Sequence, residues 1–435
     1  MMQSGSCECS KTELDAVSVP PTMTAMQESQ WIEHFPVAAL SNNAPIEFNI
    51  PKQTEHWTDL SQSYLYVKFK ITRADGTALQ ADDNIAPVNN FLHSMFSSID
   101  LYLNNKLISN NSDTYPYRAY IENLLSYSKD SKLTHLKAGD LWSNDTPGEF
   151  NTRAHDGNNE GFKDRFQAIT TSKTVELFGR LHLDLFQQEK YLPNGIEIRL
   201  RLNRTPVNFC LIAADGAEAA KIVIEHISLN VRNVELLPVV SNELNQVIAR
   251  HHMKIPLRRV EVKTFTISRG LQSKIEDHLF QGQLPKRIFI AMVSNAAFNG
   301  TYTTNPFQFQ HYNLSKLDVS CNGHSIHNRP FEPDFEHDLY LKSYMSLYQA
   351  TAALGLNKSF DIAKEDYPHG YCMWGYDLTA DQGSEGGQLH PIKTGNLRIE
   401  LQFARALAAV VNVLVFAEYD NQIEINSLRE IITDY

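Results

Sequence analysis

The sequence predicts an all-β protein built from two tandem eight-stranded jelly rolls, each with a short helix and long loops. The first observation behind this prediction is an internal duplication, because one order of strands, hairpin and helix occurs twice. The second is a period-two alternation of apolar and polar residues within those segments, which is typical of strands with one buried face. The third is length, since 435 residues, of which 42% are apolar, are too many for one core.

Five segments of the first copy have a counterpart in the second. In chain order, the pairs are FNI (48–50) with FTI (265–267), YLYVKFKI (64–71) with RIFIAMV (287–293), SSIDLYLNNKLIS (97–109) with SKLDVSCNGHSIH (315–327), YPYRAYIENLLSY (115–127) with DLYLKSYMSLY (338–348), and GIEIRLRL (195–202) with GNLRIELQF (395–403). The offset between partners drifts from 200 residues (395 − 195) to 224 residues (344 − 120). Constant order with a drifting offset predicts one duplicated fold whose loops changed in length.

Strands are predicted where the alternation is regular. Those of the first copy are 46–50, 64–72, 98–104, 106–109, 174–186, 195–203, 208–213 and 221–236. Those of the second are 260–267, 287–293, 315–321, 324–327, 370–378, 395–403, 409–419 and 422–426. The side chains expected to face the cores are Leu65, Val67, Phe69, Ile198, Leu200, Ile288, Ile290, Ile399 and Leu401.

Turns, helices and loops follow from local signals. The pairs Asn104-Asn105 and Asn322-Gly323 each predict a tight hairpin, because asparagine and glycine tolerate positive φ. Apolar residues at helical spacing predict one helix in each copy, and two long polar segments are predicted to be surface loops. The helices are expected near 120–127 and 341–348, and the loops near 129–171 and 379–394.

The predicted organisation has four parts. These are a flexible N-terminal arm (1–43), a first jelly roll (44–237), a polar linker that can form a helix (238–257), and a second jelly roll (258–435). The arm is predicted from its polar composition and lack of periodicity, and it either has no role or becomes ordered against a neighbouring subunit.

Composition excludes several classes of protein. The net charge of −11 and the lack of a basic run argue against a protein that coats DNA or reads its sequence. Five cysteines without a spaced framework, and no apolar leader, predict a reducing compartment rather than secretion. The longest apolar stretch, 406–417, is too short to span a bilayer, which needs ~20 residues.

No catalytic, cofactor-binding or metal-binding residues are predicted. The nearest metal-like set is Cys321, His324, His327 and His337, but an odd spacing places His324 and His327 on opposite faces of a strand. His369 and Cys372 resemble a base and nucleophile, yet they lack an orienting acid, so we expect Cys372 to be a buried structural residue. Cys7 and Cys9 in the arm could cross-link subunits under oxidation.

Four blocks resemble the major capsid proteins of Polinton (Maverick) elements and adintoviruses, a double jelly-roll family. They are 115–132 (YPYRAYIENLLSYSKDSK), 173–195 (KTVELFGRLHLDLFQQEKYLPNG), 280–323 (FQGQLPKRIFIAMVSNAAFNGTYTTNPFQFQHYNLSKLDVSCNG) and 395–407 (GNLRIELQFARAL). The resemblance implies a homotrimeric, pseudo-hexagonal capsomer in the virion, tiling an icosahedral shell around double-stranded DNA. It also implies neighbouring capsomers, penton proteins and minor capsid proteins as partners. The lack of any catalytic constellation predicts no enzyme activity.

Two other functions stay open. A double jelly roll is also similar to some glycan-cleaving amidases, which would predict secretion, disulfides and a groove with paired acids. The chain could also be a domesticated host protein that binds an intracellular partner.

For the homotrimer, we expect aromatic residues of the turn-rich segments, such as Trp142, Phe150 and Phe307, to be exposed for a subunit interface. The loops 129–171 and 379–394 are expected on one rim.

Overall fold

The computed structural model describes residues 14–17, 19–41, 44–109, 113–214 and 220–434. The strands are β1 (Met26–His34), β2 (Ile46–Ile50), β3 (His56–Arg73), β4 (Ile85–Pro87), β5 (Phe96–Leu103), β6 (Lys106–Ser109), β7 (Val175–Gly179), β8 (Ile198–Arg204), β9 (Leu211–Ala213), β10 (Ala220–Leu236), β11 (Met253–Ile267), β12 (Ser273–Glu276), β13 (Gln281–Gln283), β14 (Arg287–Ser294), β15 (Leu314–Cys321), β16 (His324–Ser325), β17 (Met373–Asp377), β18 (Thr394–Phe403), β19 (Val411–Ile425) and β20 (Ile431–Thr433). The helices are α1 (Phe91–Ser94), α2 (Tyr115–Ser126), α3 (Lys129–Leu133), α4 (His135–Gly139), α5 (Glu160–Ile169), α6 (Val207–Cys210), α7 (Pro238–Arg250), α8 (Asn295–Asn299) and α9 (Leu341–Ala350).

The strands form two jelly rolls with the same topology. In the first roll the sheet orders are β1-β10-β3-β7 and β2-β8-β5-β6, and in the second they are β11-β19-β14-β17 and β12-β18-β15-β16. The eight strands of these two sheets can be numbered 1 to 8 in chain order within each roll. The sheet orders are then 1-8-3-6 and 2-7-4-5 in both rolls. All these pairings are antiparallel, and the predicted double jelly roll is therefore confirmed.

The opening strand of the first roll was not predicted. Residues 26–34 fall within the predicted flexible arm, but they form β1 and pair with β10. The strand was missed because it lies at a sheet edge and is mostly exposed on both faces, so it shows no apolar alternation. The predicted strand 208–213 is instead α6 followed by β9, which pairs with β4 outside the roll. The match of FNI to FTI is wrong as well, because FNI lies in β2 and FTI lies in β11, the first strand of its roll.

Three corrections apply to the second roll. The linker 238–257 is the helix α7 followed by the start of β11, so the strand begins seven residues before the predicted 260 (260 − 253 = 7). The predicted strands 409–419 and 422–426 are one long strand, β19, and the short strand β12 was not predicted. A long strand that pairs along its whole length with β11 explains why no turn interrupts it near 420.

Both hairpins form as predicted. Asn104 and Asn105 have φ angles of 47° and 66°, and Asn322 and Gly323 have 51° and 82°. Two successive residues with positive φ are the geometry of a two-residue turn whose twist matches the flanking strands. The two predicted helices also form, as α2 and α9.

The predicted core positions are confirmed, because all nine side chains are buried. Each core also includes residues from the other roll. The first core takes in Ile255, Leu257, Ile423, Ile425 and Ile431 of the second roll. The second takes in residues of the first roll, including Tyr117, Tyr120, Trp142, Phe150, Phe162, Phe166, Phe209 and Ile212. Neither roll therefore completes its core alone, and the predicted division into an arm, two rolls and a linker stays a prediction.

Candidate functional site

The junction between the rolls is built around helix α2. Every residue from Tyr115 to Leu125 is buried, although the helix belongs to the first roll. Ile121 and Leu125 of α2 lie against Phe289 and Phe416 of the second roll, on the face of its sheet that points away from its own core. Helix α9 of the second roll packs on β17 at the same face, so β14 and β17 are buried on both faces. Helix α2 of the first roll therefore packs on the sheet of the second roll.

Side chains of the first roll also cover the free edge of β11. The Asp184 carboxylate accepts a hydrogen bond from the Val260 N–H at 3.2 Å, and the Thr114 hydroxyl donates to the Val262 carbonyl at 3.2 Å. Lys190 Nζ donates to the Lys254 carbonyl at 3.0 Å. An uncovered strand edge is a template for pairing with another chain, so these contacts protect β11.

A buried ion network holds α2 in place. The Arg118 guanidinium lies 2.9 Å from Glu122 and 2.7 Å from Asp184, and Glu122 also contacts His182 at 2.5 Å. Burial favours the protonated form of Glu122, but the Arg118 charge and the His182 hydrogen bond hold the pKa of this carboxyl well below its usual range. The pKa of His182 is lowered, first by burial and then by the neighbouring His93.

A second buried network lies on the covered face of the second roll. Arg287 makes two hydrogen bonds to Glu418, at 3.0 and 2.8 Å, and it also pairs with Glu385. Arg258 of β11 joins the same Glu418 at 3.2 Å. Burial would raise the pKa of Glu385, but Arg287 and Arg258 hold it below its ordinary value. These buried charges are all paired, as a structural cluster requires.

A polar cavity of about 510 Å³ opens beside the first network. Its lining includes Glu122, Asp140 and His182, together with Tyr64 and Phe178 from the outer face of the β1-β10-β3-β7 sheet. The Asp140 carboxylate lies 3.5 Å from His93 Nε2, and His93 Nδ1 lies 2.9 Å from the Tyr115 hydroxyl. The cavity therefore lies between the junction and the exposed outer face of the β1-β10-β3-β7 sheet.

That surface, the open sheet face, is the outer side of the β1-β10-β3-β7 sheet. It carries the aromatic side chains Trp31, Phe35, Tyr64, Tyr66 and Phe178, of which Trp31, Phe35 and Phe178 are 56%, 58% and 49% exposed. Phe178 stacks on Tyr64 at 4.9 Å, and Phe35 and Tyr66 both contact His226, at 5.8 and 5.6 Å. The ion pairs Lys68–Glu176 and Lys70–Glu225 lie on the same face, so it combines exposed aromatic side chains with paired charges.

Helix α9 and the residues beside it carry a second set of exposed side chains. Its inner side packs on β17, where the Ser346 hydroxyl accepts a hydrogen bond from the Gly375 N–H at 3.1 Å. A Cβ at Gly375 would lie 2.7 Å from Ala350, so only glycine allows this approach. On the outer side Leu341, Lys342 and Gln349 are exposed, and so are the neighbouring Leu339 and Leu354. These five residues are called the α9 flank below.

The four candidate metal ligands of the sequence do not form one site. Cys321 ends β15 opposite the exposed His324, whereas the His327 ring packs on Phe331 and Tyr376 at 5.0 and 5.2 Å. His337 pairs with Asp334 at 2.7 Å. Within the part of the chain that the structure describes, no three His, Cys, Asp or Glu side chains form a group that could hold a metal ion. Cys7 and Cys9 lie outside the described residues.

Cys372 is a buried residue, as predicted. It has no exposed surface, and burial raises the pKa of its thiol well above the usual range. A protonated, enclosed thiol is not a nucleophile. His369, the proposed base, ends a short helical turn, and its carbonyl accepts a hydrogen bond from the Gly148 N–H at 2.7 Å.

The aromatic residues expected at a subunit interface are buried within the chain instead. Trp142, Phe150 and Phe307 are all in the second core, and Tyr120 stacks on Phe307 at 4.2 Å and on Trp142 at 5.2 Å. The segment 129–171 is not a simple surface loop, because it contains α3, α4 and α5 and fills the space between the rolls. Phe162, Phe166 and Ile169 at helical spacing were a sequence signal for α5 that went unused.

Sequence comparison finds a relative that is similar over nearly the whole chain. No family model matches the chain. The uncharacterized protein F54H12.2 of Caenorhabditis elegans is 27% identical over 429 residues, which cover 96% of this chain and 99% of that protein. No described helix is long and apolar enough to cross a membrane.

Three solved structures show the same fold. A chain in the structure of the Sputnik virophage has a TM-score of 0.65 at 12% identity, with 99% of this chain and 93% of that chain covered. The mavirus major capsid protein has a TM-score of 0.56 at 12% identity and 100% and 96% coverage. The faustovirus major capsid protein has 0.59 at 11% identity and 95% and 93% coverage. The chain therefore has the double jelly-roll fold of viral major capsid proteins.

Proposed function

We propose that the chain is a major capsid protein of the Polinton and adintovirus type, which forms homotrimeric, pseudo-hexagonal capsomers. The observation that carries this proposal is the repeated strand order 1-8-3-6 and 2-7-4-5 in one chain. Two similar rolls in each of three chains give a ring with six similar edges. Such a ring can pack with its neighbours like a hexagon and tile an icosahedral shell around double-stranded DNA.

The role is structural rather than enzymatic. The buried charges of the junction are paired with one another and tie the two rolls together, as the Arg118 and Arg287 networks illustrate. A rigid two-roll unit suits a shell subunit, which must keep its shape while its edges carry load. The proposed partners are neighbouring capsomers, penton proteins and minor capsid proteins, and the proposed location is the virion, after synthesis in a reducing compartment.

The nematode relative bears on the source. A protein of Caenorhabditis elegans that is similar over nearly the whole chain favours a capsid gene carried in animal genomes. This fits a mobile element that encodes its own shell, and it also fits a domesticated copy. The two differ in whether the protein still assembles beyond the trimer.

The test is assembly of the purified chain. Light scattering should give about three times the chain mass (3 × 49.4 = 148.2 kDa), and negative-stain images should show pseudo-hexagonal particles. Shells or hexagonal plates at high protein concentration would support an active capsid protein, and trimers that never assemble further would favour a domesticated one. A chain that stays at 49.4 kDa over a wide range of concentration and salt would contradict the proposal.

A further inference from the structure

The two rolls cover equivalent surfaces to different extents. The outer face of the β11-β19-β14-β17 sheet is covered by α2 of the other roll beside β11 and by α9 over β17, but the equivalent outer face of the β1-β10-β3-β7 sheet is the open sheet face. The same holds for the first strand of each roll. β11 has its edge capped by Asp184, Thr114 and Lys190, whereas β1 lies at its sheet edge and is mostly exposed.

The helices α2 and α9, which follow the hairpins of the two rolls, differ in how much of their surface is exposed. α2 is buried along its length between the rolls, and α9 leaves Leu341, Lys342 and Gln349 exposed. The first roll therefore uses its helix to cover the second roll, while the helix of the second roll covers only its own sheet. Each chain therefore leaves the open sheet face and the α9 flank exposed.

We infer that the open sheet face of one chain binds the α9 flank of a second copy, in the same way that α2 covers the second roll within the chain. The inference rests on the proposed trimer and names its contact surfaces. The junction provides the template, because it shows that a helix of one roll fits the outer sheet face of the other kind of roll.

The chemistry of the two surfaces fits this occupant. The open sheet face offers aromatic rings, with Trp31 and Phe35 more than half exposed, and the α9 flank offers leucines. Leu341 is 55% exposed, and Leu339 and Leu354, which precede and follow α9, are 68% and 55% exposed. Aromatic residues are enriched in protein interfaces, and packing exposed leucine side chains against them removes apolar surface from water. The contact joins unlike surfaces, so it is head to tail and closes only as a ring.

Two single substitutions test the contact. Phe35→Glu places a charge in the open sheet face, and Leu341→Glu places one in the α9 flank. Both side chains are more than half exposed, and a glutamate at the start of α9 is favourable for the helix. The matched control is Ile275→Glu, which makes the same change at a 47% exposed residue of β12, in the other sheet of the second roll.

We expect both test variants to sediment as monomers at a concentration where the wild type and Ile275→Glu are trimers. Each contact should weaken by ~30-fold or more, as for loss of a central interface residue. Thermal unfolding of each variant, compared at matched monomer concentration, verifies that the chain is folded.

Mixing the two variants tests the head-to-tail geometry. The Leu341→Glu chain keeps an intact sheet face and the Phe35→Glu chain keeps an intact α9 flank, so the mixture should form 1:1 dimers although each variant alone does not. Trimers from either variant, or a mixture that stays monomeric, would overturn the inference while leaving the proposed trimer in place. A wild type that does not trimerise would instead contradict the proposed function.

Discussion

The two jelly rolls share one topology but differ in how their equivalent sheets are used. In the second roll, β14 and β17 are buried on both faces, and Arg287 lies inside a charged cluster under α2 and α9. In the first roll, β3 alternates between buried and partly exposed residues, and its lysines form surface ion pairs. Strand order therefore survives duplication, whereas the environment of each sheet depends on which neighbour covers it.

The two sheets should differ most in the free energy of unfolding that each loses when a basic side chain is removed. Arg287→Ala leaves Glu418 buried without its main partner, which typically costs about 3–5 kcal/mol in the free energy of unfolding. Lys68→Ala breaks a surface pair with Glu176 and should leave stability unchanged within the error of the measurement. Urea unfolding of both variants makes the comparison. Similar losses in the two variants would show that the second sheet is not the covered one.

A substitution at the C-terminus should weaken the first roll. Ile431 follows the last long strand of the second roll but is buried in the first core, and the preceding Arg429 donates hydrogen bonds to Asn194 and Asn245. Ile431→Ala should cost about 2–4 kcal/mol through the cavity it leaves. Hydrogen exchange should then increase in β5 and β6, whose hairpin residue Asn104 bonds to the Arg429 carbonyl. Faster exchange confined to the second roll would contradict the shared core.

The junction should also make stability depend on pH. The pKa of Glu122 is lowered in the folded chain, so the unfolded chain binds the proton more tightly. The stabilisation is complete above the unfolded pKa of about 4.5 and is lost as the pH falls below it, by at most about 1.4 kcal/mol per unit. Thermal unfolding of Glu122→Gln should show a large loss near pH 7 and a shrinking difference from wild type in acid. A difference that stays constant from pH 7 to pH 3 would exclude this role.

The smallest effect concerns the hairpins. Asn105→Gly should stabilise the first roll slightly, because its φ of 66° suits glycine, and Gly323→Asn should destabilise the second by a similar amount, about 0.5–1 kcal/mol. The midpoint of urea unfolding measures both. Shifts of the same sign in the two variants would show that the turns are not equivalent.

The features that could be predicted from the sequence are those with a local cause. The alternation around Leu65 and Ile288, the turn at Asn322-Gly323 and the spacing of α2 each follow from neighbouring residues. The strand β1 could not be found, because its polar residues show no alternation and its pairing with β10 is a distant contact. The burial of Trp142 and Phe150 was also hidden, since it depends on the second roll packing over their segment.

The most direct test of the account is a cryo-EM reconstruction of the purified wild-type chain. We expect a closed trimer in which Trp31, Phe35 and Phe178 of each chain contact Leu341 and its neighbours on the α9 flank of the next chain. A monomer, or a trimer in which the open sheet face remains exposed to solvent, would contradict it.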